Sequence, residues 1–274
     1  MSDAERVAAT PGTEALDISV AHPARVYDAW LGGKDHFAAD RAAAEQVVRT
    51  NPAILSGVQA NRAFLARAVR YLVREAGVTQ FLDLGTGLPS ANNVHEVAQA
   101  AAPEAKVVYV DNDPIVLVHA RALLTGTPGT VAYIDADIRD AEMILDKARD
   151  TLDLHRPVAV MLLMTLQFIP DEDDPVGLVR RFMDPVPSGS YLVVSCPEAE
   201  DGVRGQQAAQ ATGRYNQMVT TPMKRRTRAE VRRFFEGLEV VEPGFVHMSR
   251  WRPDPGEQPA DRYSPAVGVV ARKP

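Results

Sequence analysis

From Gln80 onward the chain alternates short apolar runs with stretches of helix length, and this alternation restricts the possible folds more than any other feature. The runs are Phe81 to Leu84, Lys106 to Asp111, Val131 to Asp135, Pro157 to Met164 and Ser190 to Ser195. Strands separated by helix-length connections predict βαβ units and a parallel sheet. Helices then cover both faces, so such strands read as nearly unbroken apolar runs. Val158 to Met164 has that character and is expected at the sheet centre. Leu238 to Val241, Phe245 to Met248 and Ala266 to Ala271 follow with no intervening helix of length, which predicts an antiparallel edge.

Ahead of the alternation the periodicity is helical. Residues 1 to 20 read as a loosely ordered lead-in. Pro23 to Leu31 starts at a proline and stops at Gly32-Gly33, the usual asymmetry of helix ends. A second helix is expected over Ala39 to Val48. A third, from about Gln59 to Glu75, puts Phe64, Leu65, Ala68, Val69, Leu72 and Val73 on one stripe bound for the core. Residues 1–76 thus form a helical extension, read as part of the same domain as 77–274. Ser195 to Lys224 reads as a long polar stretch, and Thr227-Arg-Ala-Glu230 as a capping box opening a helix to Glu236.

The formal net charge is −6, and the basic residues are dispersed apart from Lys224-Arg225-Arg226 and Arg232-Arg233. No nucleic-acid footprint is expected from that pattern; a small-molecule or protein partner fits better. Cys196 is the only cysteine, which rules out an intramolecular disulfide and a cysteine-cluster metal site, and no metal is expected. The N-terminus, with Asp3 and Glu5 and no long apolar stretch behind them, does not resemble a secretory signal. No segment reaches the roughly 18 consecutive apolar residues of a membrane helix. The expectation is a cytoplasmic protein.

The sharpest motif, Phe81-Leu-Asp-Leu-Gly-Thr-Gly-Leu-Pro89, sits where the first strand turns into its helix. Glycines there let the backbone approach a ligand, and a helix N-terminus offers free N–H groups. Asp111 ends the second strand about 24 residues beyond Gly87, near the spacing at which a carboxylate reaches ribose hydroxyls. Asp113-Pro114 then opens a helix, with Asp113 as N-cap. Asp137, after the third strand, fits either the amine of adenine or a plain turn role.

Two cofactors compete for such a site. The dinucleotide fingerprint wants a third glycine, and Ser90 stands in its place. Asp83 would repel a pyrophosphate but supports a positively charged methionine portion. These residues favour S-adenosylmethionine (SAM).

The combination of Pro23-Ala-Arg-Val-Tyr-Asp28, Leu31-Gly-Gly-Lys-Asp-His-Phe37, the glycine motif, Asn93-Val-His-Glu-Val97, Tyr109-Val-Asp-Asn-Asp-Pro114, Phe168-Ile-Pro-Asp-Glu-Asp-Asp-Pro175 and Trp251-Arg-Pro253 resembles the predicted SAM-dependent methyltransferases of actinomycetes. That group was long catalogued as a domain of unknown function. The resemblance implies a Rossmann-like class I α/β fold: a mostly parallel seven-stranded sheet with an antiparallel C-terminal strand, plus the N-terminal helices. It implies Asp83, Gly85 and Gly87 under the methionine end, Asp111 on the ribose with Asn112 beside it, and Asp137 and Ile138 near adenine, with S-adenosyl-L-homocysteine (SAH) as product.

Gly32 and Gly33 fit either a lid hinge or a helix cap. The resemblance favours a lid and brings Lys34 towards the cofactor; Arg25 and Asp28, three apart on one helix face, fit the cofactor or each other. Thr165, Gln167 and Phe168, at the end of the fourth strand, are expected to wall the acceptor, since ligands occupy the carboxyl ends of parallel strands. Tyr215, Met218 and Trp251 fit an acceptor pocket or a bland cover for the sheet. A base, where one is needed, is expected at His36 or His247, whereas His95 is expected to bond locally. The acidic run Asp171 to Asp174 reads as a solvated loop. A SAM-binding module without turnover and an NAD-dependent oxidoreductase are the alternatives.

Overall fold

Neighbouring residues of a strand point to opposite faces, and here helices cover both, so most strand positions are buried. The computed structural model describes residues 17–116, 118, 129–254 and 266–274. Its strands are β1 (Gln80–Leu84), β2 (Lys106–Asp111), β3 (Val131–Asp135), β4 (Ala159–Leu163), β5 (Tyr191–Pro197), β6 (Glu239–Val240), β7 (Val246–His247) and β8 (Ala266–Arg272). They form one sheet in the order β3-β2-β1-β4-β5-β8-β6, with β7 also on β8. β1 to β5 run parallel and β8 antiparallel to β5. β6 and β7 follow one another along the outer edge of β8, so eight strands fill seven positions. The sheet is the mostly parallel one expected, with its antiparallel C-terminal strand.

One face, through Phe81, Val107, Tyr109 and Met161, packs on α3 (Ala53–Arg74), α4 (Val94–Ala101) and the fully buried Trp251. The other, through Leu82, Val108, Val110 and Leu162, packs on α5 (Ala141–Ala148), α6 (Pro175–Met183) and α8 (Arg228–Arg233). α1 (Pro23–Leu31) and α2 (Ala38–Thr50) meet α7 (Gly202–Asn216) in a third cluster built on Val26, Ala44, Val47 and Tyr215.

α3 starts a turn and a half before the expected Gln59. Its first turns carry Ser56 and Gly57, whose weak helix propensity hides the start. A larger departure is α7, which occupies the stretch read as polar connection. Its buried stripe is Gly205, Ala208, Ala211 and Tyr215, of which the first three are too small in side chain to register as apolar periodicity. A Cβ on Gly205 would collide with the Glu200 carbonyl. α8 ends at Arg233, short of the expected Glu236, and turns replace its last residues. Most of the expected lead-in and the far part of the helix opening at Pro114 lie outside the described residues. Among the described residues no helix is long and apolar enough to cross a membrane.

Candidate active site

The chain runs outward from β1 to β2 and β3, then crosses back to β4 and β5, so the sheet order reverses between β1 and β4. A crevice opens at such a switch point, at the carboxyl ends of the strands. The glycine turn after β1 forms its floor. Gly85 and Gly87 have φ of +72° and +67°, a region that side chains with a Cβ disfavour. Gly85 also faces the turn after β4: a Cβ there would lie 2.5 Å from Thr165 Cγ2.

Asp111 ties two loops together, its Oδ2 accepting the Gly87 N–H (2.7 Å) and its Oδ1 the Asp113 N–H (3.0 Å). Burial raises its pKa above the usual carboxylate value, opposed by those two N–H groups. Asp83, 5% exposed, accepts from the Thr86 hydroxyl at 3.0 Å. Burial pushes its carboxyl up to about 6, while the Thr86 bond and the charge of Arg62 pull the other way. Two buried carboxylates therefore face the cleft under-compensated, an arrangement suited to a cationic or hydroxyl-rich ligand.

Arg62 reaches this end of the cleft from α3. Its Nη2 donates to the carbonyls of Ala91 (2.9 Å) and Asn92 (2.8 Å). Its buried Nε has no partner, and neither has Ser90 Oγ, and both side chains line the cleft. Asn112, Asp137, Ile138 and Arg139 continue the wall past β2 and β3. Asp137 takes the Arg139 N–H (2.9 Å) on Oδ1 and Arg139 Nη1 (2.8 Å) on Oδ2, while Arg139 Nε also reaches Asp173 at 2.7 Å.

Beyond the β4 end the cleft widens under α1, α2 and α7. Met164 holds a left-handed backbone (φ +54°) there, its N–H bonded to Ser195 Oγ and O, each at 3.0 Å. Such an outlier persists only where its surroundings over-determine it. Thr165, Gln167 and Phe168 line the cleft with Tyr27, Trp30, Leu31, Ile54 and Tyr215.

Residues 9–274 match the model of a family described as S-adenosyl methyltransferase. The chain belongs to that family. A DUF574 family protein from Streptomyces avermitilis MA-4680 is 47% identical, with 94% of this chain and 99% of that one covered and a TM-score of 0.89. A Thermobifida fusca YX protein provisionally described as a methyltransferase is 41% identical over 94% and 96% of the two chains, at TM-score 0.85. Human N-acetylserotonin methyltransferase shares the fold at 15% identity and TM-score 0.50, over 90% of this chain and 62% of that one. No curated protein matches the chain. The protein is thus a SAM-dependent methyltransferase with a Rossmann-like fold, and its cofactor is SAM rather than NAD.

The chemistry of the donor set fits that cofactor: a buried carboxylate stands near an arginine with an unpartnered Nε, where an α-amino acid group carries one charge of each sign. Of the residues singled out in the sequence, Asp83, Gly85, Gly87, Asp111, Asn112, Asp137, Ile138, Thr165, Gln167 and Phe168 all line the methyltransferase cleft. Arg25, Lys34, His36 and His247 are not among its lining residues. Arg25 is buried between Asp40 (3.8 Å) and Asp113 (3.6 Å). Asp28 Oδ2 accepts the Asp35 N–H (3.0 Å) and pairs with His36 Nδ1 (2.9 Å), which leaves Lys34 turned outward and exposed. Gly32 is a left-handed cap on α1, and a side chain on Gly33 would collide with Asp28, so capping and close approach account for both glycines. His247 gathers with Glu198 and Glu200, and Arg228 grips the Glu198 carboxylate at 2.5 and 2.6 Å.

Tyr215 lines the cleft, Met218 packs in the third cluster, and Trp251 is buried on the sheet face covered by α3 and is not among the cleft-lining residues. His95 bonds the Tyr109 hydroxyl at 2.8 Å. The acidic run is largely solvent-exposed as expected, and it is also tied down: Asp171 pairs with Lys224 and Arg226, Asp173 with Arg139, and Asp174 caps α6. Sequence reasoning missed Arg62 and His22, whose Nδ1 lies 2.9 Å from Asp113 Oδ2 at the cleft edge. Arg62 reads only as a polar position in a helix, and no local spacing signals either residue.

Proposed function

We propose that this methyltransferase acts on a small molecule held in the lobe between the β4 end and α1, α2 and α7. Residues 1–76 serve as the roof of that lobe, within one domain with 77–274. Asp83 and Arg62 hold the ammonium and carboxylate of the methionine portion, and Gly85 and Gly87 let the backbone close on it. Asp111 takes the ribose hydroxyls, with Asn112, Asp137 and Ile138 around the adenine. When bound, SAM supplies a methyl group on an activated sulfonium, so positioning provides much of the rate and no covalent enzyme intermediate is needed. Thr165 and Phe168 wall the acceptor. A cytoplasmic setting suits the lone thiol of Cys196, which burial pushes up to about 12 and so keeps inert.

The observation that carries this reading is the unpartnered, buried Nε of Arg62 in the same cleft as Asp83. Titration calorimetry with SAH tests it. The wild type is expected to bind in the micromolar range. Arg62→Met is expected to weaken binding about tenfold to a hundredfold, the range for a lost hydrogen bond to a charged group. Absence of saturable SAH binding by the wild type sinks the cofactor assignment, and an unchanged affinity in Arg62→Met sinks the carboxylate role.

A further inference from the structure

Apart from His22, whose Nδ1 faces Asp113 Oδ2 at 2.9 Å, the cleft-lining side chains with a buried, unpartnered polar atom fall into two groups. Arg62 Nε and Ser90 Oγ lie by the glycine turn. Gln167 Oε1 lies at the other end, on the turn after β4. Gln167 is 3% exposed, and its Nε2 donates to the Met164 carbonyl at 2.7 Å. That bond settles the amide's orientation, because the flipped amide would set two oxygens against each other. The backbone of the same residue is fixed as well, its carbonyl accepting the Lys224 N–H at 2.8 Å. Gln167 therefore presents a rigid hydrogen-bond acceptor at the acceptor end of the cleft.

Several neighbouring polar groups of the lobe are satisfied within the protein. Tyr27 Oη accepts from Asn61 Nδ2 at 2.9 Å, Asn61 Oδ1 accepts from Ser195 Oγ at 2.7 Å, and Trp30 Nε1 donates to the Ala44 carbonyl at 3.2 Å. What they leave facing a ligand is ring and aliphatic surface: Trp30 and Tyr215, with centroids 6.1 Å apart, together with Leu31, Ile54 and Phe168. A lobe with such walls and a fixed acceptor suits a flat, largely apolar molecule carrying a hydrogen-bond donor.

Resting on the acceptor lobe proposed above, we propose that the methyl acceptor is an amine on an aromatic or apolar scaffold, its N–H donated to Gln167 Oε1 so that the nitrogen lone pair points at the methyl group. A neutral amine needs no base before transfer. Its lone pair forms the N–C bond as the C–S bond breaks with its electrons left on sulfur, and the resulting ammonium loses its proton to water. A hydroxyl is a poor nucleophile until it loses its proton, and an amide oxygen does not remove one. Gln167 is thus a specificity residue that touches the reacting nitrogen.

The test is transfer of tritiated methyl from SAM to matched pairs differing only in the nucleophile, 2-naphthylamine against 2-naphthol and benzylamine against benzyl alcohol. SAH affinity is measured in parallel by calorimetry. Methylation of the amines over their hydroxyl partners is expected. Gln167→Met, which keeps the bulk and loses the acceptor oxygen, is expected to lower kcat/KM for the amines roughly tenfold to a hundredfold with SAH affinity within twofold of wild type. Preference for the hydroxyl partners, transfer to neither class, or full amine turnover by Gln167→Met overturns the proposal. Loss of SAH binding by the wild type instead strikes the underlying cofactor reading.

Discussion

With the methionine ammonium placed on Asp83 as proposed, cofactor affinity is expected to depend on pH, with a sign and size set by the burial of that carboxyl. The carboxyl is raised from 3.8 to about 6 in the free protein. A methionine ammonium beside it favours the ionised form and returns it at least to the ordinary range. Below pH 6 the ligand must therefore expel a proton to bind, so affinity is full above about pH 7 and falls as pH drops. The free protein holds that proton with weight 1 + 10^(6 − pH), which makes binding about tenfold weaker at pH 5 than at pH 7. The shift of roughly two units corresponds to about 3 kcal/mol at ~1.36 kcal/mol per unit, and Asp83→Asn is expected to lose affinity of that order at pH 7. The effect on the ligand-free protein has the opposite sign: native Asp83 binds its proton more tightly than the unfolded chain does, so its destabilising contribution at pH 7 is relieved as pH falls from 6 towards 4. Calorimetry with SAH from pH 5 to 7.5, in two buffers of different ionisation enthalpy, reads both affinity and proton release. A flat wild-type profile, or the same slope in Asp83→Asn, refutes the argument.

Alanine at the two glycines of the turn separates packing from backbone strain. Gly85→Ala meets Thr165 Cγ2 at 2.5 Å as well as a left-handed backbone and is expected to lose about 2–4 kcal/mol, whereas Gly87→Ala points into open space and is expected to lose about 1–2; equal losses in chemical denaturation count against the close approach. Trp251→Ala removes a fully buried ring set edge-on to Phe64 (5.5 Å) and Tyr71 (5.8 Å). It is expected to lose about 3–5 kcal/mol of stability while leaving SAH affinity intact, and a variant that stays folded but binds tenfold less tightly places Trp251 in the site after all.

The side of the cleft proposed to hold the cofactor was legible as a cluster because its residues are local in the chain. Asp83, Gly85 and Gly87 fall within five consecutive positions, and Asp111 follows at a spacing that one βαβ unit dictates, so reading a strand end suffices to bring them together. The strand runs were legible for a related reason: burial on both faces leaves Leu82, Val108 and Met161 no choice of polarity. Arg62 and α7 were not. Arg62 works through carbonyls 29 and 30 residues away, and α7 packs through Gly205, Ala208 and Ala211, residues whose value is their small size rather than their hydrophobicity. Close approach leaves no periodic signal when the surface that demands it belongs to another element.

The N-terminal block shows the same principle acting on charge. Asp40, fully buried, accepts the His22 N–H (2.9 Å) on Oδ1 and the Phe37 N–H (2.8 Å) on Oδ2, and so joins the starts of α1 and α2. Arg25 lies between that carboxylate and Asp113, and His22 reaches Asp113 directly. Asp113 donates its own N–H to Asp111 and accepts the Ile115 N–H. One chain of contacts therefore runs from the roof helices to the carboxylate assigned to the ribose. In sequence, Arg25 fitted either the cofactor or Asp28, three positions along the same helix face. In the fold it neutralises two buried acids, and an arginine released from them would leave both uncompensated in an apolar surrounding.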